Sequence, residues 1–197
     1  MTIEIDQSEL TIVNAMLSCI GDLPVEDLDN EDVASDADVL KARSRLKQLM
    51  IHHQTKGWWF NTETWTFTPD SNGYITLPPT TLRIRNERTY IKRGTKLYDV
   101  VNHTLVIDED ELDLELVILL DFDELPMSFF NYIKALARYE FFAQEDGDVQ
   151  ELQTITADLR DALVTVQDED LQFRNSNILV SNPTVQKIFS GWTNRRD

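Results

Sequence analysis

The stretch from Asp121 to Gln144, DFDELPMSFFNYIKALARYEFFAQ, constrains the fold most strongly because it combines a helix start with dense aromatic residues. Pro126 stands where a first helical residue is tolerated, since its missing N–H would be unpaired there anyway. Apolar residues then recur at spacings of three and four, which places them on one helix face. They are Phe129, Phe130, Ile133, Leu136, Ala137 and Phe141. This pattern predicts the helix that anchors the core, and nothing in it indicates catalysis.

Three further helices are predicted around this anchor. The first runs from Ser8, a good N-cap, to Gly21, a good C′ residue. The second runs from about Asp32 to Lys56 and the last follows Gly147, both with apolar residues at three-four spacing. The second helix carries Val39, Ala42, Leu46, Leu49 and His53, and the last carries Leu152, Ile155, Leu159, Ala162, Leu163 and Val166.

Short strands are predicted between the second helix and the anchor helix. Trp65 and Phe67 alternate with threonines, which is the period of a strand, and Asp70–Gly73 then forms a turn. Further strands are expected at Tyr74 to Leu77, in a hairpin around Gly94, and at Leu112 to Leu120, with a turn at Asn102-His103. The aromatic residues of GWWFN and TWTFTP either form a stacking platform for sugars or bases or seal the junction between sheet and helices.

The predicted fold is α+β and mainly α, a bundle of about four helices with a small antiparallel β-region between helices two and three. One domain is expected over residues 1–174, with the bundle at 8–57 and 126–174 and the β-region at 58–120. After position 174 the periodicity fades while apolar residues persist. We therefore expect residues 175–197 to be an extended arm that orders on a partner.

The net charge of the chain limits the classes of partner that it can bind. A formal charge of −17 opposes sequence-specific nucleic-acid binding, which needs cations facing phosphates. The single cysteine, Cys19, forms no internal disulfide, and the first residues lack the pattern of a signal peptide. No apolar run approaches the ~20 residues of a membrane span. A cytosolic product without membrane contact is expected.

Charged residues concentrate in three segments. Seven of the thirteen residues from Glu26 to Asp38 are acidic, as are six of the eight from Asp108 to Glu115. Six cations occur within fourteen residues, namely Arg83, Arg85, Arg88, Lys92, Arg93 and Lys96. These segments are either solvated surface or complementary patches that meet between subunits, and the basic residues are the candidate subunit interface.

Catalytic, cofactor and metal signatures are not found in the sequence. GxGxxG, P-loop, HExxH, GxSxG and CxxC patterns do not occur, and His52 and His53 have no further ligand at suitable spacing. The histidines are interpreted as structural. Carboxylate pairs within the acidic segments leave one enzymatic alternative, a glycan hydrolase. No catalytic residue, metal or cofactor is predicted.

Four stretches of the chain carry a resemblance when they are taken in order. They are GWWFN (Gly57–Asn61), PDSNGYITLP (Pro69–Pro78), YIKRGTKLYD (Tyr90–Asp99) and FDELP (Phe122–Pro126). Together they resemble the tail tubular protein A family, the head–tail adaptor or gatekeeper proteins of short-tailed phages (podoviruses). The N-terminal LTIVNAMLSCIGDLPV (Leu10–Val25) resembles the start of the same family. The resemblance covers almost the whole chain and weakens after about Gln172.

This resemblance implies a structural protein of the virion tail, made in the host cytoplasm. It implies a dodecameric ring between the portal and a tail nozzle of the tail tubular protein B type, with a possible tail-fibre contact. DNA would pass through the ring during genome ejection without specific binding. The C-terminal arm, with Ile188, Phe189, Trp192, Arg195 and Arg196, is the candidate portal-docking segment.

Overall fold

The protein folds as α+β and mainly α, as predicted. The computed structural model describes residues 6–85, 89–144 and 149–181, and the side chains of the last helix as far as position 174. The helices are α1 (Glu9–Cys19), α2 (Glu31–Ala34), α3 (Ala37–Thr55), α4 (Met127–Phe142) and α5 (Val149–Ser181). The strands are β1 (Thr62–Phe67), β2 (Thr81–Ile84), β3 (Tyr90–Arg93), β4 (Lys96–Asp99) and β5 (Leu112–Ile118).

Helix α1 begins and ends where its capping residues predict. The Ser8 side chain accepts from the Thr11 N–H, which satisfies one of the free donors of the first turn. At the other end, Gly21 has a φ of +84°. The Gly21 N–H bonds to the Ser18 carbonyl and the Asp22 N–H to the Leu17 carbonyl, which is a Schellman motif.

The predicted single helix from Asp32 to Lys56 is wrong, because the chain breaks after α2 and restarts at α3. Asp36 adopts an extended conformation, and its carboxylate accepts from the N–H groups of Asp38 and Val39. A short acidic side chain that caps the following turn competes with continuation of the preceding helix. The heptad residues lie beyond this break, and Val39, Ala42, Leu46 and Leu49 are buried as predicted.

Helix α4 lies at the centre of the helical core. Its rings Phe129, Phe130 and Phe141 are at most 2% exposed and pack with buried residues of α1 and α3. Pro126 is the N-cap and not the predicted first helical residue, so α4 begins one residue later than predicted, at Met127. The Pro126 carbonyl accepts the first helical hydrogen bond from Phe130. The aromatic pattern of Asp121 to Gln144 therefore predicted the anchor of the core correctly.

The main sheet has the order β1–β5–β2, with both pairs antiparallel. The prediction that Tyr74 to Leu77 returns as a strand after the Asp70–Gly73 turn is wrong. Only an isolated bridge joins Thr76 to Lys96, and Ile75 and Leu77 exchange backbone hydrogen bonds with Leu97 and Thr95 beside β4. Strand β5 takes the place beside β1, where its buried Leu114 and Leu116 join a cluster that includes Phe67 of β1.

The predicted hairpin around Gly94 is confirmed as β3 and β4, with Gly94 at a φ of +64°. The Asn102-His103 turn is also confirmed, and His103 itself has a φ of +56°. Asp99 holds this turn, because its carboxylate accepts from the backbone N–H groups of Val101 and Asn102. These hydrogen bonds, with Asn102 the larger contributor, lower the pKa of Asp99.

Candidate functional site

The helical and β parts meet where α3 ends, at the motif Gly57–Asn61. Gly57 has a φ of +78°, and its N–H bonds to the Gln54 carbonyl, as expected of a C′ glycine. A Cβ at this position would lie 2.9 Å from Val117 Cγ2 of β5. Glycine is therefore required twice here, by the backbone conformation and by the close approach of the sheet.

Trp58 seals this junction. Its ring is 2% exposed, and its indole N–H donates to the His53 carbonyl at 2.8 Å, a free carbonyl of the last turn of α3. Its backbone N–H donates to Asn61 Oδ1 at 2.8 Å. The aromatic cluster thus joins sheet and helices, which confirms that interpretation for Trp58 over a stacking platform.

Two buried amides connect α3 to the end of β5. Asn61 is fully buried and its side-chain N–H groups donate to the carbonyls of Gln54 and Ile118. The Gln54 side chain donates to the Leu120 carbonyl and accepts from the Leu120 N–H, both at 2.9 Å. Because each group is satisfied inside the core, the network holds the two parts of the fold in one orientation.

Helix α5 docks on the same junction. Asp170 Oδ1 accepts from the Trp59 N–H at 3.1 Å, and Arg174 donates to the Gly57 carbonyl at 3.1 Å. An ion pair of 2.8 Å joins Arg174 to Asp170 within one helical turn. The last described side chains before the predicted arm are therefore tied to the joint between bundle and sheet.

A cleft of about 770 Å³ opens beside this junction, and its lining includes His52, His53 and Tyr132. The Tyr132 hydroxyl lies 3.0 Å from His53 Nδ1. Burial, and next the neighbouring His52, lower the pKa of His53, which favours the neutral ring, and burial raises the pKa of Tyr132. The described residues contain no cluster of three potential metal-binding side chains.

The candidate interface cations are distributed over two surfaces. Arg83 donates to the Lys56 carbonyl at the end of α3, and Arg85 pairs with Glu115 of β5 at 2.9 Å, so both contact their own chain beside the main sheet. The hairpin presents Arg93 over the Tyr98 ring at 3.5 Å and Lys96 over the Tyr74 ring at 3.6 Å. Lys92, in β3 of the same hairpin, donates to the Thr81 carbonyl of β2. Arg88 lies outside the described residues.

The acidic segments are exposed for most of their length. In the first, Glu26, Asp27, Asp29, Glu31, Asp32 and Asp36 are all exposed. In the second, Asp113 accepts from the Thr66 hydroxyl and Glu115 pairs with Arg85. The candidate arm residues Ile188, Phe189, Trp192, Arg195 and Arg196 lie outside the described part of the chain, whose last helix extends past position 174 to Ser181.

Sequence analysis did not predict the Gln54–Asn61 network or the contact of α5 with Gly57–Trp59. Most of the contacts in question join positions tens of residues apart along the chain, and periodicity carries no information about such pairs. A partial signal existed for Asn61, a single amide that directly follows three aromatic residues.

Over residues 6–85, 89–144 and 149–181, no helix combines the length and apolar character that a membrane span requires. A family model described as "Tube: Tail tubular protein" matches residues 10–188. A search of curated proteins gives no match.

Proposed function

Because the chain belongs to the tail tubular protein family of phages, a family of structural proteins of the virion tail, we propose that it forms the head-to-tail adaptor ring. In this role the ring joins the portal to the tail nozzle and surrounds the channel for DNA. One observation carries the proposal: the family match spans both the helical bundle and the sheet that the junction holds together.

The junction supports a role as a rigid building block. A ring subunit transmits load between its neighbours, so its parts must keep one relative orientation. The buried amides of Gln54 and Asn61, together with the contacts of Asp170 with Trp59 and of Arg174 with Gly57, connect α3, β5 and α5 at one point. A closed ring of such subunits, a dodecamer in this proposal, uses one patch on each subunit against a different patch on the next.

The charged segments supply candidate patches for that contact. In this proposal the hairpin cations, Lys92, Arg93 and Lys96, face the acidic segments Glu26–Asp38 or Asp108–Glu115 of a neighbouring subunit or of the nozzle. Arg83, Arg85 and Arg88 were part of the same predicted interface. Arg85 already pairs with a carboxylate of its own chain, whereas the hairpin cations contact rings and a backbone carbonyl, so the hairpin is the better place to test the idea. Exposed pairs contribute roughly 0–1 kcal/mol each, and repetition around a ring multiplies them.

The arm completes the proposed assembly. Residues 175–197 dock on the portal through Ile188, Phe189 and Trp192, with Arg195 and Arg196 beside them. Truncation after Arg174 is expected to leave a folded monomer that fails to join heads, because Arg174 retains its contact with Gly57. Loss of monomer folding on truncation would contradict this assignment.

Electron microscopy of phage particles lacking the protein tests the function directly. We expect heads without tails that lose their genome, and restoration of both on complementation. Arg93→Glu is expected to fold normally yet complement poorly, with a defect relative to wild type that shrinks at high salt because salt screens the charge contact, whereas Arg160→Glu on exposed α5 serves as the matched control. Particles that assemble and retain DNA without the protein would refute the proposal.

The proposal includes no catalytic step. Purified protein is expected to leave cell-wall and capsule glycans intact. Hydrolysis that is abolished by Asp→Asn or Glu→Gln changes in the acidic segments would instead establish a glycan hydrolase.

A further inference from the structure

Leu23 is an exposed apolar side chain on a hydrogen-bonded loop. It is 84% exposed, more than any other large apolar residue in the described part of the chain. The loop is held on both sides of it, by the Schellman motif at Gly21 and by Asn14. The Asn14 side chain accepts from the Val25 N–H at 2.8 Å and donates to the Val25 carbonyl at 2.9 Å. Because the loop is held on both sides of Leu23, little backbone conformational entropy is lost when this leucine docks, which suits it to be an interface anchor.

A groove of suitable character lies on the outer side of α3. Leu40 and Ile51 are 52% and 39% exposed, and with Ser44 and Lys47 they form a second stripe at helical spacing, apart from the buried one. Leu119, Leu120 and Phe122 form the opposite wall. This α3 groove has a volume of about 520 Å³.

One cation at the groove is complementary to the charges beside Leu23. Asp22, Glu26 and Asp27 are close to Leu23 in the chain and are exposed. Among the four cations of residues 40–55, Lys41 lies over the Phe141 ring and Arg45 pairs with Glu140, so both contact α4 and not the groove. At the groove, Arg43 pairs with Glu9 at 2.9 Å, while Lys47 is exposed and Asp121 lies on the opposite wall. Lys47 is therefore the cation placed to meet the acidic residues beside Leu23.

The two features lie on separate parts of the surface. Glu9, at the start of α1, lines the groove, whereas Leu23 follows the end of that helix. The eleven residues of α1, Glu9 to Cys19, span roughly 15 Å along the helix axis. A protruding residue and a recess that are well separated on one chain meet the requirement of a heterologous contact.

We propose that Leu23 of one copy inserts into the α3 groove of the next copy, between Leu40, Ile51 and Phe122, with Lys47 facing Asp22 and Glu26. This inference rests on the proposed ring and names an apolar contact within it. It gives each subunit one donor patch and one acceptor patch, so that every copy in a closed ring uses both.

Cross-linking within assembled particles tests the contact. In a Cys19→Ser background, Leu23→Cys and Ile51→Cys proteins of different mass are co-expressed and treated with a short bifunctional maleimide. We expect a cross-linked pair containing one of each, and none when either variant is present alone. Leu23→Cys with Leu171→Cys, an exposed leucine on α5, is the control pair and should not cross-link. Cross-linking of Leu23→Cys to itself would overturn the heterologous arrangement.

Competition for incorporation provides a second measurement. When variant and wild type are co-expressed equally, Leu23→Asp should be under-represented in particles by about tenfold or more, because it places a charge in an apolar recess. Lys47→Glu should be reduced less, and Leu171→Asp should match wild type. Circular dichroism of each purified variant verifies that the fold persists. Equal incorporation of Leu23→Asp together with no cross-link would refute the inference, whereas particles whose head–tail junction lacks the wild-type protein would refute the proposed function itself.

Discussion

Single residues at the junction have strict requirements, and Gly57 is the clearest. Its positive φ is a conformation that residues with a Cβ adopt at a cost, and the nearby Val117 side chain adds a steric restriction. Gly21 has a similar φ of +84°, but a Cβ placed there would meet no atom within 4 Å. Comparing the two glycines therefore separates the cost of the backbone conformation from the cost of the steric contact with Val117.

Gly57→Ala is expected to lower the free energy of unfolding by more than Gly21→Ala does. Gly21→Ala should cost about 1–2 kcal/mol for backbone conformation alone, and Gly57→Ala should add the displacement of Val117. Urea denaturation of both variants measures the difference. Combining Gly57→Ala with Val117→Ala should remove the steric contribution, and equal costs for the two glycines would contradict this account.

His53 is expected to make stability depend on pH. Its pKa in the folded chain is lowered, chiefly by burial, so below about pH 6.5 the unfolded chain binds a proton that the folded chain resists. Stability should therefore fall as the pH drops through this window. Urea denaturation at about pH 7.5 and about pH 5.5 should show a smaller loss for His53→Gln than for wild type. The exposed His103→Gln variant is the control, and its loss of stability between the two pH values should equal that of wild type.

At the scale of elements, stability depends on how α3, β5 and α5 are joined. Each element has its own apolar face, but the faces alone would allow sliding or rotation. Buried amides remove that freedom, because only one arrangement satisfies the donors and acceptors of Gln54 and Asn61 together.

Asn61→Ala is expected to lower the free energy of unfolding by about 2–3 kcal/mol, since it leaves the Trp58 N–H and two buried carbonyls without their partner. Thermal and urea denaturation measure this loss. Asn72→Ala, in an exposed turn, is the matched control and should change stability by less than about 0.5 kcal/mol. A loss as small as that of the control would show that water replaces the amide.

Asp170→Asn combined with Arg174→Ala is expected to loosen the end of α5 without unfolding the bundle. The change removes the ion pair and the contact with Gly57, while Val166 remains buried in the helical core. Hydrogen exchange should accelerate at residues 167–174 and at the Trp59 N–H, and stay unchanged in α4. Arg160→Ala, exposed on the same helix, is the control; protection equal to wild type in the double variant would contradict the docking role.

At the scale of the whole molecule, the strong negative charge constrains what the protein binds. A channel that passes DNA must not retain it, and a surface with a formal charge of −17 repels phosphates. The cations of the described chain fit this interpretation, since several engage carboxylates, carbonyls or rings of their own chain.

We expect no measurable affinity for duplex DNA at moderate salt. Fluorescence anisotropy with a labelled duplex, over a range of salt concentrations, measures it, and a basic DNA-binding protein is the positive control. Tight binding whose affinity falls steeply with salt would show a cationic surface facing DNA and would contradict a non-binding channel.

The sequence by itself determined the elements whose signals are local. The cap at Ser8, the C′ glycines, the hairpin at Gly94 and the aromatic face of α4 all depend on residues within a few positions of each other, where backbone preferences and periodicity act. The family resemblance also rests on short stretches of neighbouring residues, and the match to the family model confirms it.

Only the tertiary structure decided which strands pair and what joins the two parts. The segment Tyr74 to Leu77 has strand-like residues, yet β1 pairs with β5 over six positions instead. The break before α3 is local in origin, because the Asp36 side chain caps the next turn, but the apolar periodicity alone did not reveal it. The contacts of Asn61 with β5 and of Asp170 with Trp59 bridge distant positions. Such contacts exist only once packing has excluded water, so no local pattern in the chain encodes them.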